Sequence, residues 1–203
     1  MSLVLILILA GTCIVSFIAF NNRKVMDDLI LWPPAVSRKR EYYRLLTYGL
    51  VHADGTHLLF NMLTLYFFGR DMAPFYDGSI GSMFGFALFY LGGLLVSILP
   101  TYLKNRNNSN YHSLGASGAV SAVLFGYILL APWSQIIVLV IPMPAIIYAV
   151  LYTAYSIYMD RRGRDSINHS AHLWGAAYGV VFTLLVNPQV LPHFLGELAQ
   201  PHF

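Results

Sequence analysis

Between Arg106 and Asp160 the chain carries no Asp, Glu, Lys or Arg. A water-facing surface built from such a stretch would have almost nothing to keep it solvated. The other charges are bunched: Arg23 to Arg44, Asp54, Arg70 to Asp77, Lys104 to Arg106, Asp160 to Asp165, and Glu197. Apolar spans separated by short polar loops give this pattern. Composition agrees, with 57% hydrophobic and 10% charged residues, where soluble domains carry about 25% charged residues. The length of 203 residues suits a single domain. The chain is therefore read as an all-α, polytopic membrane protein.

Several function classes are disfavoured. The net charge of +3 is small and scattered, so nucleic acid is not an expected partner. Bases beside spans contact lipid headgroups, and the bilayer is the expected surrounding. The lone Cys13 lies in an apolar run, so no disulfide framework exists. No C-x-x-C or H-E-x-x-H motif occurs, which weakens thiol redox and zinc protease readings. No cofactor and no metal is expected. A metal site from His52, His57, His169 and His172 lacks any accompanying carboxylate or cysteine.

Six spans are expected. The first covers about residues 3–20. It lacks a basic leader and a clear small-residue cleavage site, so it reads as a retained helix. Residues 21–56 read as a long aromatic loop in which Trp32, Pro33 and Pro34 break any helix. The second span covers about 56–73 and the third about 80–103, with a polar loop over 104–114. The fourth runs from near Gly115 to Ala131. Residues 134–144 read as a re-entrant or interfacial segment leading into a fifth helix from about Pro144 to Met159. The sixth covers about His169 to Val186, and residues 187–203 form a short tail.

Polar and ionisable groups inside spans are costly, so they are functional candidates. His57 and Asn61 lie four apart in H-L-L-F-N, on one helix face, and both can donate hydrogen bonds as an oxyanion hole requires. The alternative is a polar pair joining neighbouring helices. Ser117, in G-A-S-G-A, fits close helix packing equally well unless a base reaches it. His172, in H-S-A-H-L-W-G-A-A-Y-G, supplies such a base. Gly175 and Gly179, four apart, would let a partner helix approach, and a partner bearing Gly115 and Gly118 would bring Ser117 to His172. No acid is placed to orient His172, so the chemistry would be a Ser–His dyad. His52 and His169 read as structural donors.

Together, H-A-D-G-T-H-L-L-F-N, G-A-S-G-A and A-H-L-W-G-A-A-Y-G resemble the rhomboid intramembrane proteases in order and spacing. The resemblance covers about residues 42–186 and implies a six-transmembrane-helix bundle. It implies Ser117 as nucleophile and His172 as its partner. It implies His57, Asn61 and the Ser117 backbone N–H as the oxyanion-stabilising set. His52 and Arg44 look like structural supports, Arg44 following Tyr43 where the family commonly has Trp-Arg. Gly175 and Gly179 look like the glycines that admit the serine helix. The implied substrates are single-span membrane proteins cut within or near the membrane. One departure stands out: Ser121 occupies a position where many members carry an aromatic that stacks on the histidine. A silent client-binding relative and a small transporter are the alternatives.

Orientation is in conflict. Eleven of the twelve Lys and Arg fall on the side holding residues 21–56, 104–114 and 160–168. The positive-inside rule puts that side in the cytoplasm. The resemblance, in a bacterial plasma membrane, puts the active-site mouth outside, and that orientation is the expectation carried forward.

Overall fold

The computed structural model describes residues 1–138, 140–163 and 167–201. Arg164 and Asp165, part of the last charged cluster, lie outside them. Ten α-helices occur among the described residues, besides a single 3-10 turn at Tyr48–Leu50. They are α1 (Leu3–Asn21), α2 (Arg23–Leu29), α3 (Pro33–Lys39), α4 (Arg44–Thr47), α5 (Gly55–Ile80), α6 (Gly85–Asn105), α7 (Ser117–Leu130), α8 (Ala145–Arg162), α9 (His169–Val186) and α10 (Val190–Leu198).

The order of the long helices follows the sequence reading, but three local expectations need correction. Residues 21–56 are not a helix-free loop. Pro33 and Pro34 start α3, because the first helical positions need no N–H donor. Arg40, in the left-handed region at φ 62°, ends it. Helix α5 runs past Ala73, through Pro74, to Ile80, where Gly81 adopts φ +70° and caps it. The fold is not wholly α: β1 (Gln135–Val138) and β2 (Ile141–Pro144) form an antiparallel hairpin ahead of α8. Proline cannot donate to a ladder, and here Pro142 and Pro144 sit in a strand with a single neighbour. Within the short tail, α10 turns back at 117° from α9.

Helix α7 is the hub. It is hydrophobic all round, and nearly all of it is buried by α5, α6 and α9. The outer helices turn apolar side chains outward: Leu7 and Phe17 on α1, Leu59 and Phe67 on α5, Leu88 and Leu99 on α6, Val150 and Leu151 on α8, Val181 and Leu185 on α9. Among the described residues, α1 and α6 are long and apolar enough to cross a membrane, and α9 with α10 gives a third if counted as one bent span. The remaining long helices fall short for visible reasons. Helix α7 has only 14 residues. Helix α5 contains Arg70, Asp71 and Asp77, and α8 ends in Asp160, Arg161 and Arg162.

The polar segments meet at one end of the bundle. Leu31 and Ser113 exchange backbone hydrogen bonds at 3.0 and 3.1 Å. Trp32 Nε1 donates to the Ser109 carbonyl, and Ser37 Oγ to that of Arg106. Arg44 is 6% exposed and holds the first loop together, donating to the carbonyls of Asp27 (2.7 Å) and Ile30 (2.8 Å) and to Glu41. The guanidinium hydrogen bond holds the Glu41 carboxyl below its usual range.

Candidate functional site

Helices α7 and α9 run parallel and touch through small residues. A methyl group added at Gly175 would lie 2.0 Å from the Gly118 carbonyl oxygen, and one at Gly179 would lie 2.2 Å from that of Ala122. A third rung pairs Gly126 with Thr183, whose Oγ1 would be 3.1 Å from such a methyl. Each rung advances four residues on both helices. The backbones can approach this closely only because side chains are missing where they cross.

The first turns of these helices carry the candidate reacting groups. Ser117 is the first residue of α7, and His172 is the fourth of α9. Ser117 Oγ and His172 Nε2 are 2.7 Å apart. When the hydroxyl donates, Nε2 is unprotonated and the neutral ring keeps its proton on Nδ1. The N–H groups at the start of α7 have no acceptor within the helix, and its positive dipole end is directed to the same point.

Asn168 determines where α9 begins. Its Oδ1 accepts from the Ala171 N–H at 3.0 Å and from Thr101 Oγ1 at 3.1 Å. Its Nδ2 donates to Ser113 Oγ at 3.4 Å. One side chain thus ties the histidine helix to α6 and to the loop before α7. Sequence reasoning passed over Asn168, although an Asn directly before an apolar run is an N-cap signal.

His57 and Asn61 follow an N-cap, Asp54, whose carboxylate accepts from the His57 N–H at 2.8 Å. Asn61 is buried and donates to the His57 carbonyl at 2.9 Å. It shares with Ser117 the wall of a cavity of about 140 Å³, completed by Phe60, Thr64, Val120, Ser121, Leu124, Tyr148 and Tyr152. The His57 ring is outside that lining. It lies against Gly115, where an added methyl would be 2.6 Å from Cε1. Gly115 also has φ +105°, so glycine is required there for both conformation and space.

His52 is fully buried and stands behind the site. Its Nε2 accepts from the Ala116 N–H at 3.3 Å, which assigns the ring proton to Nδ1. Nδ1 then donates to Ser16 Oγ at 3.0 Å, and Ser16 donates on to the Leu50 carbonyl at 2.8 Å. Burial, followed by the neighbouring His57, pushes the His52 pKa down to about 3, so the ring stays neutral. His169 is also buried and meets His172 edge-on, at 6.0 Å between ring centroids.

Two further residues escaped the sequence reading. Ser16 lies on α1, and nothing local marks it. Tyr152 comes from α8: its ring stacks on His172, and its hydroxyl is 2.8 Å from Ser121 Oγ.

A family model described as the Rhomboid domain matches residues 39–189. Among curated relatives, RHOMBOID-like protein 12, mitochondrial, of Arabidopsis thaliana is 29% identical over 177 residues, covering 80% of this chain and 51% of that protein. The provisionally named rhomboid protease YdcA of Bacillus subtilis (strain 168) is 26% identical over 164 residues, covering 78% and 77%. Rhomboid-like protein 11, chloroplastic, of Arabidopsis thaliana is 29% identical over 164 residues, covering 72% and 53%. The chain thus spans about half the length of the two plant relatives.

Proposed function

Because the chain belongs to the rhomboid family of integral membrane proteins, we propose that it is an intramembrane serine endopeptidase, with Ser117 as nucleophile and His172 as general base. The observation that carries this reading is the 2.7 Å contact between Ser117 Oγ and His172 Nε2, beside a cavity that opens between α5, α7 and α8.

The chemistry is acyl transfer. Ser117 Oγ attacks the peptide carbonyl carbon as His172 Nε2 takes the hydroxyl proton. The C–N bond then breaks, and His172 delivers that proton to the leaving amine. Water attacks the resulting ester, gives a proton to His172, and Ser117 recovers it as the acid product leaves. The oxyanion is held by the Ser117 N–H at the start of α7, by Asn61 and by His57. His57 reaches it by a ring rotation away from Gly115.

The substrates are membrane-anchored, single-span proteins whose helix unwinds near the bilayer surface, since a helix hides its carbonyls. Six spans, α1 and α5 to α9, form one membrane domain. The apolar faces turned outward on α1, α5, α6, α8 and α9 support that count. We assign the dyad end of the bundle to the extracytoplasmic side of a bacterial plasma membrane. Labelling of a cysteine introduced at Lys104 only after permeabilisation would defeat that orientation.

The purified protein in lipid vesicles is expected to react with a fluorophosphonate at Ser117, located by peptide mass. Labelling that persists in Ser117→Ala would refute the assignment. Asn61→Ala is expected to lower kcat by roughly 10²-fold, as losing one oxyanion donor does. Cleavage kinetics alongside thermal unfolding would check that the loss is catalytic.

A further inference from the structure

We propose that Tyr152 is a positioning residue for His172: its ring sets the plane of the imidazole, and its bond to Ser121 ties that plane to the contact between α7 and α8. This rests on the Ser117–His172 reading above.

An imidazole turns easily about its last torsion, because a bond between sp³ and sp² atoms has broad minima. A hydrogen bond to Ser117 fixes one ring atom and does not by itself set the ring plane. Two neighbouring rings bear on that plane. The Tyr152 ring lies nearly parallel to His172, at 19° with centroids 6.1 Å apart, within the range of offset stacking. His169 abuts the imidazole edge-on at 75°.

Tyr152 can do this because it is itself held. Its hydroxyl is 2.8 Å from Ser121 Oγ, one turn beyond Ser117 on α7. Tyr148 stacks on it at 5.4 Å, and Phe125 tilts against it at 5.8 Å. The ring is therefore carried by α8, anchored to α7 and laid over a residue of α9. Tyr152 and Tyr148 also form part of the cavity wall that includes Ser117. A peptide in that cavity would lie beside the same ring that orients the base.

The competing view, in which Tyr152 is only a cavity wall, predicts a change in KM. A positioning role predicts a change in kcat. In vesicles, with a single-span substrate, Tyr152→Leu is expected to lower kcat about tenfold with KM within about twofold, the scale of one lost ring–ring contact. Tyr152→Phe keeps the ring and is expected to lower kcat by only about threefold, as is Ser121→Ala, since both delete one neutral hydrogen bond. Thermal unfolding verifies the fold, and Tyr152→Met carries the same expectation if the Leu variant does not fold. Unchanged kcat in Tyr152→Leu, or a loss confined to KM, overturns the proposal. Equal losses in the Phe and Leu variants also overturn it, because the hydroxyl would then be the whole effect. Unchanged kcat in Ser121→Ala removes the tie to α7. If the wild type neither cleaves nor labels at Ser117, the protease reading falls and this inference with it. If the wild type cleaves and only the Tyr152 comparison fails, the protease reading stands.

Discussion

Alanine at Ser117, or at His172, is expected to abolish cleavage, lowering kcat by roughly 10⁴-fold or more. Under the proposed function the two groups act as one unit. Without the hydroxyl there is no nucleophile, and without the imidazole the hydroxyl keeps its proton and remains a weak one. The double variant should therefore be no slower than either single variant. The fold should survive. Ser117 is the first residue of α7 and lies outside the buried core, and its hydroxyl contact is with His172. His172 is only partly buried. Cleavage of a single-span substrate in vesicles, beside thermal unfolding, makes the comparison. Activity that persists in Ser117→Ala would mean that another group attacks the peptide.

The second large effect comes from filling the crossing between α7 and α9. The three atoms nearest a Cβ at Gly179 are all backbone: the Ala122 oxygen at 2.2 Å, with its carbonyl carbon and Cα at 2.8 Å. Backbone inside a packed helix cannot give way as a side-chain tip can, so Gly179→Ala must push the helices apart. Forced overpacking typically costs about 1–3 kcal/mol, and a clash with backbone belongs at or above the upper end. The activity loss should exceed the stability loss. A displacement of about 1 Å can cost on the order of 10²-fold in rate, and the Ser117–His172 contact bridges the same two helices. Gly11→Ala is the control, because nothing lies within 4 Å of its added methyl. Equal activity in Gly179→Ala and Gly11→Ala would show that the reacting pair does not depend on this crossing.

The parts of the site that depend on spacing along one helix were legible in the sequence. His57 with Asn61, and Gly175 with Gly179, carry a period that survives folding. The Ser117–His172 pairing was legible because small residues on both helices implied a close crossing. Tyr152 was not legible. It reaches His172 from a third helix, and nothing in L-Y-T-A-Y-S distinguishes it from its neighbours. Ser121 was legible only as a departure from the resemblance, and nothing in the sequence told that its hydroxyl would lie 2.8 Å from that of Tyr152. Pro33 and Pro34 misled because proline halts a helix from within but starts one from its first turn. The hairpin was missed because each of its strands is only four residues long, and α10 because its nine residues, though amphipathic, follow Pro188 and were taken with the tail.

The length of α7 has one more consequence. Fourteen residues rise about 21 Å, whereas the hydrocarbon layer of a bilayer is about 30 Å thick. Counted as one of the six proposed spans, α7 must show the shortfall at one end or the other. At the far end α10 packs against α7: Trp133 Nε1 donates to the Glu197 carbonyl of α10, and His193 Nε2 meets the Leu130 carbonyl that closes α7. The recess falls, under the proposed function, at the opposite end, around Ser117. Under the proposed function, the water spent in each turnover would descend from that face alone, and the soluble fragment would depart the same way, with no leak through the membrane.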